Sequence, residues 1–230
     1  MSDELLAALI VVAIMLLVGF PVHEFSHALA AYRLGDSTAR FMGRLSLNPI
    51  VHFDPLGGIL LAITFIGSQG TFGFGWAKPT PVNPRNLEGG RWGEAIVAAA
   101  GPLSNLVLAT AAAIPLRYIL SNPTLIDQIP TLALQVLYLF VVINLVLMIF
   151  NLFPIPPLDG GRILVGVLPK AIAAPVARLE PYGIMILLGV LIVLPLLGAQ
   201  LGIDLNIVSR VIRVATGTVL EAILRLTGNA

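Results

Sequence analysis

The sequence predicts an all-α polytopic membrane protein. The prediction is a three-helix core with a fourth span, a short β or re-entrant region between spans one and two, and a C-terminal amphipathic helix. Of the 230 residues, 57% are hydrophobic and 11% are charged, and the mean hydropathy is +0.96. Because a water-soluble domain needs polar groups over most of its surface, this balance favours a chain surrounded by lipid.

Four apolar stretches are long enough to cross a bilayer, which requires about 20 apolar residues. The first ends at Gly35-Asp36, and the second lies between Glu94 and Arg117. The third stops before a proline cluster that begins at Pro154. We predict spans at residues 4–34, 95–116, 131–152 and 183–202, within one membrane-embedded domain that covers residues 1–230.

The stretch between the first two spans is rich in Gly, Pro and Asn, so we do not expect it to cross the membrane. Residues 40–47 alternate loosely between apolar and polar and predict a short strand pair. Residues 56–67 are apolar but too short to cross, which favours a re-entrant or interfacial segment.

The tail at residues 204–228 carries apolar residues near helical spacing, interrupted by charged ones. This pattern favours an amphipathic helix lying on the membrane, with a fifth crossing as the alternative. The apolar positions are Ile207, Val208, Val211, Ile212, Leu220, Ile223 and Leu224.

Charge and cysteine content exclude several classes of function. The net charge of +1 gives no support for nucleic-acid binding, and the absence of cysteine excludes disulfides and thiolate metal sites.

The distribution of basic residues predicts the orientation in the membrane. The loops after spans one and three carry nine basic residues, against four on the other side of the membrane. Because basic loops stay in the cytoplasm, we predict that these two loops are cytoplasmic and that the N-terminus is outside. We therefore expect an integral membrane protein, most simply of a prokaryotic plasma membrane. The nine are Arg33, Arg40, Arg44, Lys78, Arg85, Arg91, Arg162, Lys170 and Arg178; the four are Arg117, Arg210, Arg213 and Arg225.

The motif His23-Glu24-Phe25-Ser26-His27 fits the pattern H-E-x-x-H in the first span. On a helix, positions i and i+4 share a face, so His23 and His27 can bind one metal ion. Glu24 can then take a proton from a water at that ion, which zinc makes nucleophilic at neutral pH. Chance gives only about 0.001 such matches in a chain of this composition. The alternative is two buried histidines that satisfy each other or a backbone carbonyl.

Pro21 lies just before the motif, where a proline disturbs the helix. It either kinks the helix toward the site or causes a harmless bend.

A catalytic zinc normally has three protein ligands, so one more must come from elsewhere. Asp159 follows the third span directly, and the predicted topology puts it on the same side of the membrane as His23 and His27. It is either a metal ligand or the cap of a turn. His52, with Asp54, could steady its loop, gate the site or bind a second metal, or could be a surface histidine.

Three blocks of sequence resemble the site-2 protease family of intramembrane zinc metalloproteases. They are the histidine motif, Gly101-Pro102-Leu103-Ser104-Asn105, and the run from Asn151 through Pro156-Pro157-Leu158-Asp159 to Gly161. Residues 43–57 and 76–79 are similar to the short subgroup that has no PDZ or nucleotide-binding domain.

The resemblance implies a three-helix catalytic core in which His23, His27 and Asp159 bind Zn²⁺ and Glu24 is the general base. It also implies that Asn151 polarises the scissile carbonyl or holds substrate backbone, whereas a helix C-terminal cap is the plain alternative. Asn105 would mainly pack between helices, or would steady the site.

The expected function is a zinc metalloendopeptidase that cleaves peptide bonds within or near transmembrane segments of other membrane proteins. The partners would be transmembrane substrates and the lipid bilayer. His23 lies about 28 Å along the helix from Glu4, near the cytoplasmic boundary, so water must enter from that side. A strand within residues 40–47 could pair with an unwound substrate. The rival interpretations are a metal-ion channel or transporter, and a catalytically silent scaffold.

Overall fold

A computed structural model describes residues 3–68, 70 and 73–227, and over these residues the protein is helical without strands. Four helices are long and apolar enough to cross a membrane, as predicted. They are α1 (Asp3–Arg33), α5 (Arg91–Leu120), α7 (Thr131–Asn151) and α9 (Lys170–Leu201). The other α-helices are α2 (Thr38–Phe41), α3 (Pro49–His52), α4 (Pro55–Gly67), α6 (Pro123–Ile126), α8 (Asp159–Val167) and α10 (Ile207–Thr227).

Helix α5 is the centre of the bundle, because α1, α7 and α8 all pack against it. Its buried face carries Ala109 and Ala113, which meet Val141 and Leu145 of α7. Small residues allow membrane helices to approach closely, and this replaces the hydrophobic drive that lipid does not supply. The three-helix core predicted from the sequence is therefore built around α5.

Helix α5 runs beyond the predicted limits of 95–116 at both ends. Glu94 and Arg117, taken as its boundaries, lie within the helix. A charged residue limits the apolar stretch but does not break backbone hydrogen bonds, whereas Gly90 with φ +57° does end the helical backbone.

Helix α1 contains a wide π-helical turn at Met15–Gly19, just before Pro21. A proline inside a helix cannot donate to the carbonyl four residues earlier, and its ring crowds that carbonyl. The wider turn relieves this conflict, and such turns are frequent near functional sites. Pro21 therefore marks a real distortion of the helix that leads directly into the histidine motif.

The predicted strand pair at residues 40–47 is wrong. The chain there forms α2 and a turn, in which the Arg44 N–H donates to the Ala39 carbonyl at 2.8 Å. Asp36 accepts from the Thr38 N–H at the start of this helix, and Gly43 with φ +70° ends it. Local capping residues thus outweigh a loose alternation, because they satisfy backbone groups within the segment itself.

The apolar segment before α5, predicted to be re-entrant or interfacial, forms a short helix and then turns back. Helix α4 is followed by extended chain that runs back along it, and the Phe74 N–H donates to Thr64 Oγ1 at 2.8 Å. Gly57 allows this return, because a Cβ there would lie 2.1 Å from the Trp76 carbonyl oxygen. The return brings residues 76–80 close to α1.

Asp36 ties the end of α1 to the chain that leads into α5. Its side chain is fully buried and accepts from Thr38, from the Asn83 N–H at 2.7 Å and from Asn86 Nδ2 at 3.1 Å. A buried carboxylate needs such donors to offset the loss of water. This residue therefore fixes the position of residues 83–86 relative to α1.

The predicted C-terminal helix is present as α10 and is amphipathic. Val208, Thr216 and Ile223 are buried on one face, while Arg210 and Arg213 are exposed. Ile223 packs into the core between α5 and α7. The helix is therefore held against the bundle; residue 228, the last of the predicted tail, lies outside the described residues.

We predict that Asp36 stabilises the fold in a pH-dependent way. Burial raises its pKa, but hydrogen bonds from Thr38, Asn83 and Asn86 outweigh this and lower the pKa below its ordinary value of 3.8. Its contribution is thus complete above the unfolded-state pKa and is lost as the pH falls through the folded-state pKa.

Thermal unfolding in detergent should show Asp36→Ala to be less stable than the parent at pH 7, with a difference that narrows below about pH 4. The exposed Asp127→Ala is the control and should differ little from the parent. A difference that stays constant from pH 7 to pH 3 would contradict the role of the ionised carboxylate.

Candidate metal centre

Three side chains from two distant parts of the chain meet at one point. His23 Nε2 and His27 Nε2 lie 3.1 Å apart, and Asp159 Oδ2 lies 3.3 Å and 3.4 Å from them. All three side chains are largely buried. Among the residues that the structure describes, this is the one cluster of His, Asp or Glu that could hold a metal ion.

The spacing of these atoms fits a tetrahedral zinc ion. Zinc–nitrogen and zinc–oxygen bonds of 2.0–2.2 Å place neighbouring ligand atoms about 3.3–3.6 Å apart; both distances to Asp159 Oδ2 lie in this range, and the distance between the imidazoles is slightly shorter. Asp159 Oδ2 is buried and has no hydrogen-bond partner, so it lacks the compensation that a buried carboxylate oxygen requires. A cation at this point would satisfy it and would leave one coordination position open.

Both histidines are held in the tautomer that a metal site needs. His23 Nδ1 lies 2.6 Å from Asn105 Oδ1, and His27 Nδ1 lies 2.7 Å from the carbonyl oxygen of Val97. Carbonyl oxygens only accept, so each Nδ1 must carry the hydrogen and donate it. The lone pair of each Nε2 therefore points to the shared position, as in metal sites with a fixed outer shell.

A chain of buried amides extends from His23 to α7. Asn105 Nδ2 donates to Asn144 Oδ1 at 3.0 Å, and Asn144 Nδ2 donates to the Phe140 carbonyl at 2.9 Å. Asn105 thus both joins two helices and steadies His23. Asn144 was missed from the sequence, although an amide inside an apolar span is a signal worth weighing.

Gly101 lets α5 pass directly beside the two imidazoles. A Cβ at this position would lie 2.3 Å from His27 Nε2 and 2.6 Å from His23 Nε2. Any side chain would therefore occupy the space beside the two imidazoles. This gives a physical reason for the glycine that opens the second block of the resemblance.

Asp159 is positioned by the close packing of the two glycines that follow it. A Cβ at Gly160 would lie 2.2 Å from the Leu152 carbonyl oxygen, and one at Gly161 would lie 2.7 Å from the Pro156 nitrogen. The start of α8 therefore rests on the turn that leaves α7. Leu158 holds the N-cap position of α8, and Asp159 lies in the first helical turn with Oδ2 unpartnered. Oδ2 therefore makes no capping hydrogen bond and lies beside the two imidazoles.

Glu24 lies in the same cavity as the three donor atoms. Its Oε2 accepts from the Thr80 N–H at 2.8 Å and from Thr80 Oγ1 at 2.7 Å. No sequence pattern singles out Thr80, because a threonine between two prolines is typical of a loop. The contact joins residues that are 56 positions apart.

The cavity has a volume of about 700 Å³, and Asn151 lines it together with the donor residues. Asn151 Nδ2 donates to the Leu147 carbonyl at 3.0 Å, and the C-cap position belongs to Leu152. The Asn151 side chain thus bonds to a carbonyl in the last turn of α7 while it lines the cavity. One N–H of the same amide is left for another acceptor, since an amide nitrogen carries two.

His52 lies outside the metal cluster and is not a surface residue. Only 2% of it is exposed, and its Nε2 lies 2.7 Å from the Ser46 carbonyl oxygen. Its own carbonyl accepts from the Lys78 N–H at 2.8 Å. Of the roles considered for it, steadying the loop is the one that these contacts support.

Known proteins resemble this chain in sequence. The profile described as "Peptidase family M50" matches residues 120–195. A protein of Bacillus subtilis (strain 168) named "Putative zinc metalloprotease YwhC" is 41% identical over 191 residues, which are 80% of this chain and 80% of that protein. A protein of Mycobacterium tuberculosis (strain H37Rv) named "Putative zinc metalloprotease Rip2" is 31% identical over 144 residues, 63% of this chain and 52% of its own length. No solved structure gives a significant match. Together with the His-His-Asp donor set, these relatives identify Zn²⁺ as the cofactor.

We predict that Gly101→Ala displaces the two imidazoles and weakens zinc binding by at least about tenfold, the scale on which outer-shell changes act. Zinc content after titration with a chelator measures this. Gly217→Ala is the matched control, since a Cβ there meets nothing within 4 Å. Equal zinc retention by both variants would contradict the packing argument.

Proposed function

The chain belongs to peptidase family M50, the site-2 protease family of zinc metalloproteases, and on that basis we propose that it is an intramembrane endopeptidase. Its substrates would be membrane proteins, cut within or near their transmembrane segments. The observation that carries the proposal is the His23, His27 and Asp159 cluster beside Glu24, formed between α1 and the start of α8 in a bundle whose long helices can span a membrane.

Each side chain of the cluster would have a separate role in hydrolysis. His23, His27 and Asp159 would hold the zinc ion through Nε2, Nε2 and Oδ2. A zinc ion in this position supplies Lewis-acid polarisation and makes water nucleophilic at neutral pH. Glu24 would take the proton of the attacking water and pass it to the leaving amine.

Asn151 would bind the substrate carbonyl or backbone as the bond is cut. One of its two amide hydrogens is used on the Leu147 carbonyl, and this bond orients the other. A preorganised donor of this kind is typically worth about 2.7–4 kcal/mol in the transition state. Its position on the cavity wall supports this role.

The substrate must present an extended segment to this cavity, because helical backbone shields the scissile carbonyl. The volume of about 700 Å³ is enough for several residues in extended form. Pairing with a strand at residues 40–47 is ruled out, since that segment forms α2 and a turn. Water would reach the same cavity from the cytoplasmic side.

The alternatives are a metal-ion channel or transporter and a silent scaffold. Hydrolysis accounts for Glu24, which is not one of the metal donors and yet lies in the same cavity. Neither an ion path nor a scaffold requires a carboxylate in that position. Proteolysis is therefore the function that the arrangement supports best.

We predict that Glu24→Gln abolishes cleavage while zinc remains bound. Removal of a general base typically costs about 10²–10⁴ in rate, and the three ligands are unchanged. The measurement is cleavage of a panel of single-span substrates by purified, zinc-loaded protein, with metal content determined in parallel.

Glu88→Gln is the matched control, because that carboxylate is exposed and lies outside the cavity. Cleavage by Glu24→Gln at the parental rate would remove the general-base assignment. Unchanged metal content in His23→Ala, His27→Ala and Asp159→Ala would remove the metal site.

We further assign the site to the cytoplasmic side of a prokaryotic plasma membrane, from the excess of basic residues after spans one and three. The chain has no cysteine, so single cysteines can report topology without background. In intact cells, Ser121→Cys should react with an impermeant maleimide and Glu88→Cys should react only after lysis. The reverse pattern would invert the assignment.

A further inference from the structure

We propose that Thr80 is a positioning residue for Glu24, one that holds the carboxylate in the orientation needed for proton transfer. This inference rests on the proposed function, since it assigns Glu24 the role of general base. Thr80 belongs to the extended chain before α5 and lies far from the histidine motif in sequence.

The contact is specific and buried. Only 6% of Thr80 is exposed, and both of its donors reach Glu24 Oε2, the N–H at 2.8 Å and the hydroxyl at 2.7 Å. The hydroxyl also lies 3.0 Å from the Glu24 carbonyl oxygen, so one side chain contacts both the backbone and the carboxylate. Hydrogen bonds to a charged acceptor are about twice as strong as neutral ones.

The position of Thr80 is fixed on both sides. Pro79 and Pro81 have fixed φ angles, and a residue before proline is confined to extended backbone. Both prolines lack an N–H, so the one backbone donor of residues 79–81 is that of Thr80, and it faces Glu24. The chain is therefore shaped to present this donor.

Two anchors hold the ends of this segment. Before it, the Lys78 N–H donates to the His52 carbonyl at 2.8 Å, and after it the Asn83 N–H donates to Asp36 at 2.7 Å. The buried His52 and Asp36 therefore both hold the segment that contains Thr80. They set the distance between Thr80 and α1.

The geometry leaves one carboxylate oxygen available. The hydrogen bonds from Thr80 involve Oε2, and among the described residues Oε1 receives none. Glu24 is thus restrained in rotation while Oε1 remains free to accept a proton from the attacking water. A base that is aligned before the reaction avoids the cost of ordering it during the reaction.

The test compares Thr80→Val, which keeps the shape and removes the hydroxyl, with Thr80→Ser, which keeps the hydroxyl. With the single-span substrates, Thr80→Val should lower kcat by about tenfold or more, since it impairs a base worth about 10²–10⁴ in rate. KM and zinc content should stay at parental values. Thr80→Ser should retain kcat within about twofold, as expected when the hydroxyl is what matters.

Thr110→Val is the matched control, because its hydroxyl donates to the Leu106 carbonyl within α5, away from the cavity. Parental kcat in Thr80→Val would overturn the proposal. So would an increase in kcat, which would mean that Thr80 restrains the base, or a loss of zinc in proportion to the loss of activity, which would place its effect on the metal site.

A second readout needs no substrate. The infrared difference between the parent and Glu24→Gln isolates the carboxylate stretch of Glu24, and this band should shift in Thr80→Val but not in Thr110→Val. An unshifted band would overturn the proposal even if no cleavage could be measured. Absence of cleavage by the parent, with a band that does shift, would instead count against the proposed function alone.

Discussion

The structure depends on the need to satisfy ionisable groups inside a bundle of apolar helices. Two imidazoles and a carboxylate would be costly there without partners, because the surroundings offer little water. The chain meets this need with carbonyl acceptors for both Nδ1 atoms and with a convergence of three donor atoms on a point where a cation fits. The amide of Asn105 contacts His23 and donates to Asn144, and both asparagines are fully buried.

The close packing of backbone on backbone follows from the same constraint. Gly101 leaves room for two imidazoles, and Gly160 and Gly161 let α8 begin against the turn after α7. Each glycine removes a Cβ at a point where a helix must approach a donor group or another backbone. The cost of glycine in a helix, about 1 kcal/mol relative to alanine, is thus offset by access to the metal position. The packing and the chemistry are therefore properties of the same residues.

The spans could be predicted because their signal is local. About 20 apolar residues in a row cannot be placed elsewhere than in lipid or a protein interior, so the first three spans and the amphipathic α10 agree with the prediction to within a few residues. The fourth helix is longer than predicted, because α9 begins at Lys170 rather than at residue 183. The strand pair predicted at residues 40–47 was wrong because its signal was weak and the contacts that decide the conformation do not follow a periodic pattern. Their weak alternation was outweighed by Asp36 and Gly43, which close a helical turn through contacts that no periodicity describes. Where capping and patterning disagree in a short segment, the hydrogen bonds of the cap decide the conformation.

The sequence by itself determined the histidine pair and its glutamate, because the spacing of i and i+4 on a helix is fixed by helix geometry alone. Its position after the third span also brought Asp159 forward as a candidate, with a turn cap equally open until the resemblance implied a metal ligand. Only the tertiary structure decided that Asp159 Oδ2 lies within 3.4 Å of both imidazoles, and that Asn105 and Thr80 contact His23 and Glu24. These contacts join residues from 56 to 136 positions apart, and such distances depend on how helices and loops pack together rather than on any local pattern.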